Sequence, residues 1–252
     1  MGRFHRHADG TTHTHEGSHH DVGDHTAYAT APERVTVLER IFSENDRAAA
    51  ANREAFADAG VICLNVMSSP GAGKTTVLAT TLTHLRQRGM RAGVVEGDIE
   101  TSIDADRLRG LAHQISLLNT GDGFGGECHL DAPMVARALR SLDLDDLDVV
   151  LVENVGNLVC PAEFDVGAHR RVMVCSVTEG EDKPLKYPVM FRSVDTVLIN
   201  KTDLLPHLEL DIDLLEDNIR AVNPTATLLR MSARTGDGLD AWFAWLDQAM
   251  TS

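Results

Sequence analysis

From Val61 onward, short apolar runs alternate with segments patterned at helical spacing. Residues 61–67 read as a buried strand. A Gly-rich turn and a helix over about 74–88 follow. Residues 91–95 are predicted as a second strand and 115–118 as a third, with a helix over 131–141. Strands at 149–152, 172–177 and 196–199 come next. A helix near 214–222, a strand near 227–231 and a helix over 239–249 complete the pattern. Strands that alternate with helices imply right-handed crossovers and a mostly parallel sheet, hence an α/β three-layer sandwich. Upstream, residues 34–59 contain no Pro or Gly, and Val35, Leu38, Ile41 and Phe42 recur at helical spacing. One amphipathic helix is expected there, ended by Gly60 and leading into the main domain. The chain therefore divides into a tail (1–30), a helix (31–60) and an α/β domain (61–252).

Composition sharpens the tail first. Seven of the 12 histidines precede residue 26: His5, His7, His13, His15, His19, His20 and His25. They lie among Gly, Thr, Asp and Ser, a stretch that buries no apolar area and is expected to be disordered. A cloning tag is one reading, although a tag is usually a continuous run. A loose metal-binding tail is the other, since imidazole suits Ni, Zn and Cu. The formal charge of −15, from 23 Lys+Arg against 38 Asp+Glu, argues against general nucleic-acid binding. No apolar run has membrane-spanning length, and no signal-peptide core is evident. The 4 cysteines form no dense framework, which fits a reducing cytoplasm. Cys63 and Cys175 fall inside apolar strands and read as core. His84, His113, His169 and His207 have no partner spacing and read as surface residues.

The strongest chemical signal follows the first strand of the domain: Ser68-Ser69-Pro70-Gly71-Ala72-Gly73-Lys74-Thr75-Thr76. This is a P-loop between strand and helix, the P-loop NTPase arrangement. Gly71, Ala72 and Gly73 let backbone amides approach phosphate oxygens, and the helix start adds its positive end. Lys74 is expected to bridge the β- and γ-phosphates, and Thr75 to offer its hydroxyl to Mg²⁺. Ser68 stands where the motif usually has its first Gly. Far downstream, Asn200-Lys201-Thr202-Asp203 follows a buried strand. A carboxylate at Asp203 can accept from both N1–H and the 2-amino group of guanine, a donor pair that adenine lacks. Asn200 is expected at the base edge and the Lys201 stem on the ring. Ser232-Ala233-Arg234 is similar to the loop whose backbone N–H meets guanine O6. Together they point to GTP and GDP.

Two acids between these motifs suit Mg²⁺ and water: Asp98, after the second strand, and Glu153, read as ending the strand at 149–152. Mg²⁺ takes hard oxygen ligands and keeps several waters, so one or two carboxylates suffice. A solvated strand-end acid is the alternative for each. The Gly156 amide is placed to sense the γ-phosphate, which makes 153–156 a candidate switch. No catalytic Gln or Arg finger is evident, so slow hydrolysis is expected. Cys128 and His129 are adjacent in a Gly-rich loop, and Cys160 lies in the loop after the switch. Two ligands do not fill a metal shell, but two copies across a two-fold axis would supply enough. Small loop hydrophobes beside a solvated histidine explain the same residues equally well.

With these motifs assembled, residues 61–252 resemble the hydrogenase nickel-incorporation GTPases of the HypB family. These belong to the dimerising P-loop GTPases that also include the urease accessory GTPase. The resemblance rests on the P-loop, Glu96-Gly97-Asp98, the Cys128-His129 loop, Glu153-Asn154-Val155-Gly156-Asn157-Leu158-Val159-Cys160-Pro161, Lys183-Pro184-Leu185-Lys186-Tyr187-Pro188 and the Asn200 motif. It implies slow GTP hydrolysis and dimerisation with GTP bound. It also implies nickel or zinc at the dimer interface, and delivery of nickel to the large subunit of nickel–iron hydrogenase alongside other maturation proteins. By motif, Cys128, His129 and Cys160 match the interface metal ligands, and Asp98 matches a Mg²⁺-site and switch acid. Lys183 and Lys186 fall near the nucleotide and dimer contact. Some members carry an N-terminal Cys-x-x-Cys-Gly-Cys nickel site; here no Cys precedes Cys63 and the His tail stands instead, so nickel buffering by the tail is implied. A nickel-storage protein and a urease-type accessory GTPase are the rival readings, and the 153–161 segment argues against the second.

Overall fold

The computed structural model describes residues 4–6, 12–14, 31–97, 107–118 and 129–251. Two units are distinguished, Met1–Ile41 and Phe42–Ser252. In the first, β1 (Phe4–Arg6) and β2 (Thr12–Thr14) pair antiparallel with His5 opposite His13. The sequence predicts no regular structure in this tail; the paired segments hold its aromatic Phe4 and β-branched Thr12 and Thr14, which favour strands. His7, His15, His19, His20 and His25 lie outside the described residues. The helix α1 covers Ala31–Ala59, close to its expected bounds.

The second unit is built on β3 (Ile62–Ser68), β4 (Ala92–Glu96), β5 (Gln114–Leu117), β6 (Val149–Gly156), β7 (Arg170–Ser176), β8 (Thr196–Asn200) and β9 (Thr227–Arg230). They form one sheet in the order β5-β4-β6-β3-β7-β8-β9, and every pairing is parallel. Both faces are covered, as an all-parallel sheet requires. Alternate strand residues divide the core. Leu64, Val66, Leu151, Val174 and Leu198 face one layer, with α2 (Lys74–Gln87) and α8 (Leu239–Ala249). On the other face, Cys63, Val150 and Val152 pack with Phe56 of α1 and with α3 (Ala132–Leu139). Beside them, Met173, Cys175, Val197 and Ile199 pack with the short α6 (Pro188–Arg192) and α7 (Ile212–Val222). The small helices α4 (Cys160–Glu163) and α5 (Lys183–Lys186) complete the unit.

Two details depart from the apolar pattern. From Phe42 onward, the buried face of α1 is Asn45, Ala49, Asn52 and Phe56. Half of that stripe is asparagine, because it packs on loop backbone that needs hydrogen bonds, and Phe42 itself stays 37% exposed. Second, β6 does not end before Glu153. It runs on through Gly156, with Val66 opposite Glu153 and Ser68 opposite Gly156. Polar residues continue the strand because they are buried and partnered. The strand carboxyl ends around β3, where the chain turns to either side of the sheet, form the crevice in which ligands of such folds bind.

Candidate functional site

The P-loop leaves the end of β3 and enters α2 through Gly73, the N-cap, at φ 97°. A side chain at Gly73 would be strained there, and its Cβ would fall 2.6 Å from Asn200 Nδ2. Ser68, at the position where the motif usually has Gly, needs no such freedom: Lys201 is the only described non-glycine residue with positive φ. The Ser68 hydroxyl donates to Ser69 O at 2.8 Å. A cleft of about 350 Å³ lies over this turn, lined by Ser68–Gly71, Gly73–Thr76, Arg107, Gly156 and Lys201. Lys74 is only 6% exposed, and its Nζ donates to Glu153 Oε1 at 2.6 Å. The Thr75 hydroxyl donates to the same oxygen at 2.8 Å. Glu153 is fully buried, and its Oε2 has no hydrogen-bond partner. A buried carboxylate is tolerable only when paired. Lys74 supplies that pairing, and the orphaned oxygen is a ready ligand for a hard cation beside Thr75. Asp98, the other expected acid, lies outside the described residues.

A second cleft of about 380 Å³ adjoins the first, sharing Gly73, Thr76 and Lys201 and adding Asn200, Asp203, Leu204, Ala233 and Arg234. Lys201 Nζ donates to Gly71 O at 2.6 Å, laying its stem along the P-loop. Asp203 Oδ1 accepts from the Ser232 hydroxyl at 2.6 Å, which fixes the carboxylate at the cleft. Asn200, expected at the base edge, is also held by backbone on both sides of the cleft. Its Nδ2 donates to Ala72 O at 2.9 Å, and its Oδ1 accepts from Ala233 N at 3.0 Å. Both ends of the amide therefore staple the P-loop to the last loop, one face of the cleft to the other.

The candidate metal residues divide. Cys128 lies outside the described residues. His129 is half-buried, and its ring lies 4.2 Å from that of Phe164, which stacks on Phe42 of α1 at 5.3 Å. Cys160, expected in a loop, opens the short helix α4 and is partly exposed. Phe164 directly follows that helix, so it brings the His129 segment against the segment that carries Cys160. Helix α1 holds both. Asn52 Nδ2 donates to Ala132 O and to Val166 O, each at 3.0 Å. Asn45 accepts from Ala132 N at 2.9 Å and donates to Asp165 O at 2.9 Å. Among the described residues no group of three or more His, Cys, Asp or Glu is assembled for a metal. Cys63 and Cys175 are fully buried, and burial pushes both thiols far up from their ordinary range. Lys183 pairs with Glu179 at 3.2 Å and Lys186 with Asp182 at 2.6 Å. His169 is not a plain surface residue: its Nδ1 accepts from Cys63 N at 3.0 Å. Nor is His84, whose ring stacks on Phe243 at 4.0 Å.

The family model for the CobW/HypB/UreG nucleotide-binding domain matches residues 62–230. A hydrogenase maturation factor HypB from Azotobacter chroococcum is 46% identical over 238 residues, covering 92% of this chain and 76% of the relative. The HypB of Escherichia coli K12 is 44% identical, covering 91% and 77%. The chain belongs to the HypB hydrogenase maturation factors. Solved HypB structures share the fold. That from Archaeoglobus fulgidus gives a TM-score of 0.76 at 35% identity, covering 82% of this chain and 99% of that one. HypB from Helicobacter pylori in complex with nickel gives 0.75 at 36%, covering 82% and 95%.

Several residues around the site carry no sequence motif. Arg107 lines the phosphate cleft, although no motif marks it within Asp-Ala-Asp-Arg. Asn45 and Asn52 gave only the signal of polar residues on a helical stripe. Asn154 lies within the 153–161 segment, and its side chain is wholly buried. No described helix is long and apolar enough to cross a membrane.

Proposed function

We propose that this maturation factor is a GTP-hydrolysing nickel metallochaperone that helps load nickel into the large subunit of nickel–iron hydrogenase. The observation that carries the reading is the continuity of one segment. Glu153, hydrogen-bonded to Lys74 and Thr75, and Gly156, on the phosphate cleft, lie on β6, and the chain from there runs into Cys160. A rearrangement at the phosphates would therefore be felt a few residues from the Cys160 thiol.

Backbone N–H groups of Gly71 to Thr75 and the start of α2 receive the β- and γ-phosphates. Phosphate oxygens then replace Glu153 as the partner of Lys74. Thr75 and Glu153, with Asp98, would hold Mg²⁺, which would supply positive charge to offset that of the phosphates. Water attacks the γ-phosphorus, the bond to the bridging oxygen breaks, and GDP and phosphate leave. Asp203, fixed by Ser232, accepts from N1–H and the 2-amino group of guanine, which favours GTP over ATP. Nickel is cargo: Cys128, His129 and Cys160 from two copies ligate it across a dimer interface. Val159, Leu185 and Val189 are each more than half exposed around α4–α6 and suit burial against a second copy. The relative solved with nickel supports Ni²⁺ as the ion, and Cys and His ligands suit Zn²⁺ as well. The seven tail histidines buffer nickel loosely. Nickel affinity measured with GDP and with a non-hydrolysable GTP analogue tests the cycle: different affinities are expected, and equal ones sink the coupling.

A further inference from the structure

Glu153 and Asn154 are neighbours on β6, and successive strand side chains point to opposite faces. Glu153 reaches Lys74 and Thr75 on the phosphate side. Asn154 points into the other layer and is fully buried. Its Oδ1 accepts from the backbone N–H of Leu130 at 3.0 Å and of Val155 at 2.9 Å. Its Nδ2 donates to Asn65 Oδ1 at 3.2 Å. Leu130 follows His129 and is itself fully buried. Its side chain covers Gly97, where a Cβ would come within 2.6 Å of it, and Gly97 N donates to Glu153 O at 3.0 Å. A backbone N–H this deep requires a partner, and Asn154 is the side chain that provides it.

We propose that Asn154 is a positioning residue that ties the nucleotide-sensing end of β6 to the His129 loop through its hydrogen bond to Leu130, so that displacement of Glu153 on nucleotide binding moves His129. The inference rests on the nucleotide-coupled nickel binding proposed above. A buried hydrogen bond between two packed segments is a physical connection of the kind that carries coupling between sites. It also explains a buried asparagine beside a second one, Asn65, in a strand position that otherwise suits an apolar residue.

The test uses the full chain and Ni²⁺ alone, with thiolate-to-nickel charge-transfer absorption as the readout, because the tail has no cysteine to contribute. Nickel affinity is measured with GDP and with a non-hydrolysable GTP analogue. Asn154→Ala is expected to bring the ratio of the two affinities to within about twofold of one, below the range usual for coupled sites. Asn154→Val removes the same acceptor while suiting a buried strand, and serves where the Ala variant does not fold. Asn154→Asp is expected to restore the ratio. At this fully buried position the acid is held in its neutral form; its carbonyl oxygen accepts from both backbone N–H groups, and its O–H donates to Asn65 Oδ1 in place of the amide. A wild-type ratio in the Ala and Val variants overturns the latch alone. So does loss of the ratio in all three variants, which marks a purely structural residue. Equal affinities in the wild-type protein overturn the coupled cycle and the latch with it.

Discussion

Asn200→Ala separates a staple from a base contact. The amide is 2% exposed and joins Ala72 O to Ala233 N. Truncation leaves a carbonyl and an N–H at two buried positions, Ala72 at 1% and Ala233 at 8% exposure. Each unsatisfied group costs about 1–3 kcal/mol, offset in part because the asparagine no longer needs desolvating. The expected loss is about 2–4 kcal/mol in the nucleotide-free protein, a drop in Tm of roughly 4–16 °C for a domain of this size. Differential scanning calorimetry without nucleotide reads it directly. Gly73 supplies a check, since a Cβ there would meet the Asn200 amide at 2.6 Å. The two sites share one contact, so Gly73→Ala should cost less in the Asn200→Ala background than alone, with only its backbone strain remaining. An Asn200 that served the base alone would leave the nucleotide-free Tm within about 1–2 °C, the range of a surface change. That result, with strict additivity at Gly73, refutes the staple.

Three further outcomes are expected. Asn52→Ala removes the donor shared by Ala132 O and Val166 O and should cost about 2 kcal/mol; an unchanged urea midpoint would show that α1 does not hold these segments. His169 is held neutral, its pKa lowered from the ordinary 6.5 by burial first and then by Arg170 and Arg53. Its folded pKa lies below the unfolded one, so stability is full above about pH 6.5 and falls as the pH drops through that value toward the folded one. Tm measured from pH 7.5 to about 5.5 should show that slope, and His169→Gln should flatten it; an identical slope in the variant would assign it elsewhere. Arg107 lines the phosphate cleft from an exposed position, so Arg107→Ala should weaken a GTP analogue by about fivefold, the worth of one exposed charge contact. Calorimetric titration giving equal affinities would remove Arg107 from the site.

How far the sequence could be read depended on where the polar residues sit. Apolar runs marked every strand of the parallel sheet, because strands buried on both faces are written in Val, Ile and Leu. The P-loop and the Asn200 motif were legible because backbone geometry and base chemistry restrict those positions to few residue types. Reading stopped at buried polar positions that no nucleotide motif marks. Glu153 looked like a strand end because a pattern of hydrophobicity cannot distinguish a solvated acid from one held by Lys74 and Thr75. Helix α1 was given its apolar residues as a packing face, while from Phe42 on it packs through Asn45 and Asn52. Nothing in the sequence marks Leu130 N as a partner of Asn154, or Ala72 O and Ala233 N as partners of Asn200.

These buried polar positions are not scattered. Glu153, Asn154 and Asn200 lie at the carboxyl ends of β6 and β8, and Asn45 and Asn52 on the helix that holds the segments carrying His129 and Cys160. A buried polar group is tolerable only with its partner in place, so each one specifies a distance between two segments that apolar packing would leave adjustable. An apolar contact survives a shift of a few tenths of an ångström; a buried hydrogen bond is weakened by it. Segments tied in this way have few intermediate positions available and move together or not at all. The proposed coupling between phosphate and metal would need that property, which places its polar residues inside the fold, at the ends of strands, where a hydrophobic pattern reads them as boundaries.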